Sequence, residues 1–355
     1  MPFYYLMPRG ADGRRIATDL LRLRERLDAA IPLRTREESL LLATWNIREF
    51  DSTKYGSRLD DAYFHMAEVI SRFDLVAIQE VRSNLAALDR LKKILGSWWS
   101  YLVTDVTEGT RGNQERMAFL FDSRKVRFGG LAGQIVLPPV RVTDTAGNRV
   151  TKPVDQLYRT PYLAAFQAGW FKFMLSTVHI LWGGDEAEAP ERVAEIRAVA
   201  RFLSKRVADP DAWSPNLILL GDFNIFARDD ATFQAVIDAG FEVPEALQSI
   251  PGSNVKKDRT YDQIAFSTHA RAAVDCTAAG VFDFFQSVYR DEDEAAYVPF
   301  MGDAYHTTSS GKPRANPSTY YRAWRTFQMS DHLPMWVELK VDFGEAYLNR
   351  VAGTT

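Results

Sequence analysis

The sequence predicts an α/β fold. Short apolar runs of strand length recur along the chain, and segments with apolar residues at helical spacing lie between them. Several of the runs end abruptly in polar groups, as LILLGDFNI (217–225) does at Asp222 and Asn224. A chain of 355 residues can bury a large core, and 46% hydrophobic with 25% charged residues is ordinary for a soluble globular protein.

The elements follow in order. Residues 13–31 place Ile16, Leu20, Leu23, Leu27 and Ile31 on one helical face, which predicts an N-terminal helix packed on the body. LLLATWNI (40–47) reads as a buried strand, 61–73 as a helix, and DLVAIQEV (74–81) as a second strand. Residues 83–95 read as a helix capped by Ser83, and RMAFLFD (116–122) as a strand. Residues 160–180 predict two strands joined near Ala168–Gly169. Helix 191–207 turns Val193, Ile196, Ala200, Leu203 and Val207 inward. Then come the strand LILLGDFNI, a short helix over 229–240 ending at Gly240, a strand over 260–267 and a final strand over 332–343. Two stretches read as long loops: 138–159, with a hairpin at Ala146–Gly147, and 289–327. The domain reading is an N-terminal helical extension (1–39), one catalytic-size domain (40–345) and a C-terminal tail (346–355).

Composition narrows the function. A formal net charge of -3 provides no global attraction to nucleic acid, although a local basic cleft remains compatible with it. Cys276 is the single cysteine, so no intrachain disulfide and no thiolate metal site is expected. The N-terminus lacks a continuous apolar stretch before its charges, and no run approaches the roughly 18 apolar residues of a membrane span. The expected location is cytoplasmic, with no membrane association and no obligate protein partner evident.

The chemistry lies at the strand ends: Asn46, Glu80, His179, Asp222 with Asn224, Asp262, and Asp331 with His332. Singly, each has a bland alternative: a strand-end Asn is most often a turn former, a strand-end Glu a solvated acid, a buried His a structural residue. Together they are harder to dismiss, because burying several uncompensated carboxylates is costly. A divalent cation would remove the repulsion, and carboxylate and carboxamide oxygens without thiolates select Mg²⁺ or Mn²⁺.

The ordered elements WN(46), QE(80), TVH(179), GDFN(221–224), YDQI(261–264) and SDHLP(330–334) closely resemble those of the endonuclease/exonuclease/phosphatase superfamily, the deoxyribonuclease-I-like proteins, over about 40–343. NQERMAFLFD (113–122) resembles the segment in which those proteins place a Glu supporting the strand-end His, here Glu115, and YRTPYLAAF (158–166) their Arg-x-Pro element, here Arg159. One departure is Asn113–Gln114, where deoxyribonucleases carry an aromatic residue against the substrate backbone. The resemblance implies a four-layer α/β sandwich, with two mixed β-sheets face to face and helices outside. It also implies metal-dependent hydrolysis of a phosphate ester. Glu80, with Asn46 near it, would hold the metal, and Asp331 would complete that site or a second one. His332 would act as general base or charge-stabilising imidazole, held by Asp262. Asp222 would orient or deprotonate water, Asn224 would position the water or the phosphate, and His179, supported by Glu115, would donate to phosphate oxygens.

The substrate must come from variable segments. STYYRAWRTFQ (318–328) sets Tyr321, Arg322 and Arg325 before SDHLP, a mixture suited to a nucleic-acid strand, with loop packing as the alternative. Arg141, Arg149, Lys152 and Arg159 offer a second basic wall, whereas DEDEAAY (291–297) interrupts a continuous groove. These features favour a nuclease acting on DNA over RNA. The alternatives are a lipid or inositol phosphate phosphatase or phosphodiesterase, and an inactive binding module of the same fold.

Overall fold

A computed structural model describes residues 2–50, 52, 54–108, 112–268 and 274–353. Its strands are β1 (Ser39–Phe50), β2 (Leu75–Val81), β3 (Trp99–Val103), β4 (Arg116–Asp122), β5 (Val126–Gln134), β6 (Val140–Thr143), β7 (Arg149–Lys152), β8 (Tyr162–Ala168), β9 (Phe171–His179), β10 (Leu217–Asp222), β11 (Phe241–Glu242), β12 (Asp262–Ser267), β13 (Cys276–Val281) and β14 (Met335–Lys340). One six-stranded sheet runs β13-β14-β1-β2-β4-β3 and a second runs β11-β12-β10-β9-β8-β5, while β6 and β7 form a separate hairpin. Both sheets are mixed: β1 is parallel to β2 and β9 to β10, and the other pairs are antiparallel.

The helices are α1 (Ala11–Ala30), α2 (Asp60–Ile70), α3 (Ala86–Leu95), α4 (Pro190–Ala208), α5 (Ala231–Ile237), α6 (Glu245–Gln248), α7 (Glu294–Met301), α8 (Asp303–His306), α9 (Pro317–Gln328) and α10 (Gly344–Ala352). Strand alternation sorts the layers. In β1, Leu40 and Leu42 join a core with Phe166, Phe173 and Leu219 of the second sheet. The alternate residues Leu41, Ala43 and Trp45 face Leu20, Leu23, Phe64 and Leu91 of α1, α2 and α3. Phe119 links the sheets directly, 5.1 Å from the Tyr162 ring and 5.5 Å from Phe166. The second sheet is covered outside by α4 and α5 through Ile196, Leu203 and Val236. The result is the expected four-layer sandwich. Each fully buried large aliphatic or aromatic side chain contributes roughly 1.5–3 kcal/mol to holding it.

Two readings need correction. The stretch 289–327 is largely helical, containing α7, α8 and α9, rather than a long loop. Pro317 starts α9, and Tyr321, Trp324, Phe327 and Gln328 form its buried face. The first turn of helix 83–95 begins at Ala86, not Ser83, and Asn84 Oδ1 accepts its N–H at 2.9 Å. In the C-terminal segment α10 continues to Ala352.

Candidate active site

The candidate residues converge toward the C-terminal ends of β1, β2, β9 and β10, at one edge of the seam between the sheets. His179, Asp222 and Asp262 lie in one row, because His179 is the register partner of Asp222 in β9–β10 and Asp262 its partner in β10–β12. Gly221 permits this row. Its φ is 134°, and a Cβ there would sit 2.1 Å from Val178 O, so only glycine lets β10 approach β9 this closely.

The first sheet contributes Asn46 from the inner face of β1 and Glu80 from β2. Glu80 has φ 61° where the β2 registers with β1 and β4 shift, a bulge that re-aims its carboxylate into the site. Asn46 Nδ2 donates to Glu80 Oε1 at 3.0 Å and to Asp222 Oδ2 at 2.9 Å, tying the sheets together. Its Oδ1 is buried with no hydrogen-bond partner among the described residues. Glu49 N donates to Glu80 Oε2 at 2.6 Å. Burial pushes the Glu80 carboxyl up; Glu115 and Asp331 add to this and His179 opposes it. A carboxylate destabilised by burial beside an orphaned amide oxygen fits a hard divalent cation.

Asp222 is the hub. Its Oδ1 accepts the Asn224 N–H at 2.9 Å, while Oδ2 lies 3.5 Å from His179 Nε2 and 3.7 Å from His332 Nε2. His332 Nδ1 is 2.9 Å from Asp262 Oδ2. Burial would lower the His332 pKa, but Asp262 and Asp222 outweigh it and hold the ring well above the ordinary histidine value. One donor atom from each of Asp222, Asp262 and His332 falls within a 4.8 Å group. His332 stands between two carboxylates and offsets the charge of only one of them. Asn224, at φ 52°, donates its side chain to Ile180 O at 2.8 Å and so orders the loop after β9.

On the other flank, His179 Nδ1 and Arg159 Nε each lie 2.8 Å from Glu115 Oε2. Burial would raise the Glu115 carboxyl, but His179, Arg159 and Asn113 bring it down to about 2. Burial and Arg159 lower the His179 pKa, yet the neighbouring Glu115 and Asp222 leave it raised. Asn113, the departure in sequence, donates to Glu115 Oε1 at 2.6 Å.

Asp331 is half-exposed, its carboxylate 3.3 Å from Arg48 Nε. Arg325 and Arg322 both reach Asp291, at 2.7 and 3.3 Å. Tyr321 does not reach the site: it is fully buried among the helices covering the first sheet, its hydroxyl donating to Arg290 O. The reading of Tyr321 as a substrate contact is therefore corrected to packing, for it lies on the inner face of α9. Two contributors were missed. Ser330 Oγ donates to Asn46 O at 2.6 Å and accepts from the Arg48 and His332 N–H groups. Arg48 shares the inner face of β1 with Asn46 by simple alternation, a signal present in the sequence.

A family model for the endonuclease/exonuclease/phosphatase family matches residues 43–332. The chain belongs to this family. Its members are hydrolases of phosphoester bonds. A protein of Thioalkalivibrio sp. (strain K90mix) named deoxyribonuclease is 30% identical over 291 residues, covering 75% of this chain and 72% of that one. Among solved structures, a family protein from Bacteroides thetaiotaomicron is similar with TM-score 0.52 and 17% identity, covering 86% of this chain and 98% of that one. The human Nocturnin catalytic domain with bound sulfate is similar with TM-score 0.51 and 13% identity, covering 85% and 94%. At these identities the two structures speak for the fold alone. Among the described residues, no helix is long and apolar enough to cross a membrane.

Proposed function

We propose that this protein is a Mg²⁺- or Mn²⁺-dependent nuclease that hydrolyses phosphodiester bonds in DNA by in-line attack of an activated water. The observation that carries this reading is the convergence of His332 and His179 on Asp222 Oδ2, each imidazole backed by its own carboxylate. The relative named deoxyribonuclease favours DNA over RNA.

Glu80 and Asn46 Oδ1 would hold the cation, which supplies charge stabilisation at the phosphoryl and leaving oxygens, worth several kcal/mol. Asp222 orients the water and accepts its proton. His332, kept protonated between Asp262 and Asp222, stabilises charge on the phosphoryl group, and His179 with Arg159 donates to its other oxygens. Positioned proton transfer of this kind is worth roughly 10²–10⁴ in rate. Asn224 and Ser330 act as positioning residues, and Asp331 completes the rim. The single cysteine is in keeping with a reducing, cytoplasmic setting.

The test is incubation with plasmid, linear DNA, RNA, sphingomyelin and an inositol polyphosphate, each in Mg²⁺, Mn²⁺ or excess chelator. DNA cleavage that needs the cation is expected. Turnover confined to the lipid or inositol substrate, or full activity in chelator, would overturn the proposal.

A further inference from the structure

The catalytic recess, about 330 Å³, is acid-rich: Glu49, Glu80, Glu115, Asp222 and Asp331 all line it. A larger recess of about 640 Å³ opens directly beside it, and the two share Arg48, Tyr261, Asp331 and His332. The larger one has the opposite balance. Five of its lining side chains are cationic, Arg48, Lys256, Arg259, Arg322 and Arg325, and two are acidic. An anionic strand is repelled by the first recess unless a cation is bound, and is attracted by the second.

The junction is built rather than incidental. Arg48 Nη1 donates to Thr326 Oγ1 at 2.6 Å, its Nε lies 3.3 Å from Asp331, and its guanidinium stacks 4.0 Å from the Phe327 ring centre. A guanidinium fixed in this way loses little freedom when it meets a phosphate. Tyr261 forms the shared wall, its ring 5.5 Å from that of His332 and 5.6 Å from half-exposed Trp182. Lys256 and Arg259 are exposed on the loop before β12 and line only the larger recess.

We propose that the larger recess is a subsite for the nucleotide flanking the scissile bond, with Arg48 at the junction and Lys256, Arg259 and Arg322 binding the next phosphate of the same strand. The subsite rests on the nuclease reading and deepens it: the enzyme would recognise at least two consecutive phosphates, not one phosphate ester alone.

The test is a series of single-stranded oligodeoxynucleotides. It starts from a dinucleotide with one phosphodiester and is lengthened one residue at a time from either end, in Mg²⁺, with wild type and the double variant K256A/R259A. In wild type, kcat/KM rises at the first added nucleotide that fills the recess. In the variant that rise shrinks by about tenfold, through KM, and the slope of log KM against log salt falls by about one for each phosphate that no longer meets a cationic side chain. If the variant follows the wild-type length and salt profile while both cleave the series, the subsite is overturned and the nuclease reading stands. If wild type cleaves no oligonucleotide of any length yet dephosphorylates an inositol phosphate, both readings fall.

Discussion

Among the described residues, two places bury acids beside an imidazole, and only one has the attributes of a reaction centre. Between α1, α2 and α7, His65 is fully buried with its Nε2 3.9 Å from Asp19 Oδ2, and neither ring nitrogen has a hydrogen-bond partner among the described residues. The acids there are answered locally: Arg15 grips Asp61 through two hydrogen bonds of 2.8 and 2.9 Å, Arg22 pairs with Asp19, and Tyr297 OH bridges both carboxylates. Burial, the dominant influence, pushes His65 down to about 4, so it is neutral, and pushes Asp19 up to about 6. In the candidate active-site cluster the imidazoles are instead drawn toward the charged form, and Glu80 and Asp222 line an open recess. The contrast teaches that burial of ionisable groups does not by itself mark chemistry. Carboxylates that outnumber their cations, on backbone bent out of the sheet pattern beside open space, do mark it.

The sharpest way to break this contrast is to remove its hub. His332→Ala and Asp222→Ala should each cut turnover on DNA by at least about a hundredfold while circular dichroism stays native. Near-normal turnover in either purified variant would erase the distinction. Next in size is the response to cation. Mg²⁺ or Mn²⁺ binding only the folded state should raise the melting temperature by about 3 °C, and Glu80→Gln should abolish that shift. A shift of wild-type size in Glu80→Gln would move the cation away from Glu80. The smallest effect concerns the sealed cluster. His65 titrates below its ordinary value when folded, so the stability it lends is complete above about pH 6.5 and is lost as pH falls toward 4. Asp19, raised when folded, acts in the opposite sense over part of that window: its contribution is full below about 3.8 and is lost as pH rises through 6. Comparing wild type with His65→Leu cancels the Asp19 part. The wild-type melting temperature should fall relative to the variant between pH 6.5 and 4, and parallel curves would show that His65 is not held neutral by burial.

Legibility followed position in the sheets. The strands read from sequence, β1, β2, β4 and β14 in one sheet and β8, β9, β10 and β12 in the other, are the eight interior strands. The four that were missed, β3, β5, β11 and β13, are the four edges. Interior strands are covered on both sides and must be apolar throughout, whereas VRFGGLAGQ in β5 is mostly exposed and glycine-rich. Asn46, Glu80, His179, Asp222, Asn224 and Asp262 were legible because they lie in or at the ends of those interior runs, whereas Glu115 and Arg159 were legible only through the family resemblance. Arg48 was less so, since an arginine near a strand end looks like solvated surface until Thr326, Phe327 and Asp331 are seen around it. Tyr321 misled because an aromatic beside arginines reads alike whether it faces a strand of nucleic acid or the interior.

The three pairs Asn46–Asp222, Glu115–His179 and His332–Asp262 each reach from the first-sheet side of the molecule to the second. Neither sheet therefore owns a reactive fragment, and a slip of one layer over the other by a single residue would dismantle all three together. Loss of activity on heating should track the parting of the layers, which makes turnover itself a gauge of whether the sandwich is closed.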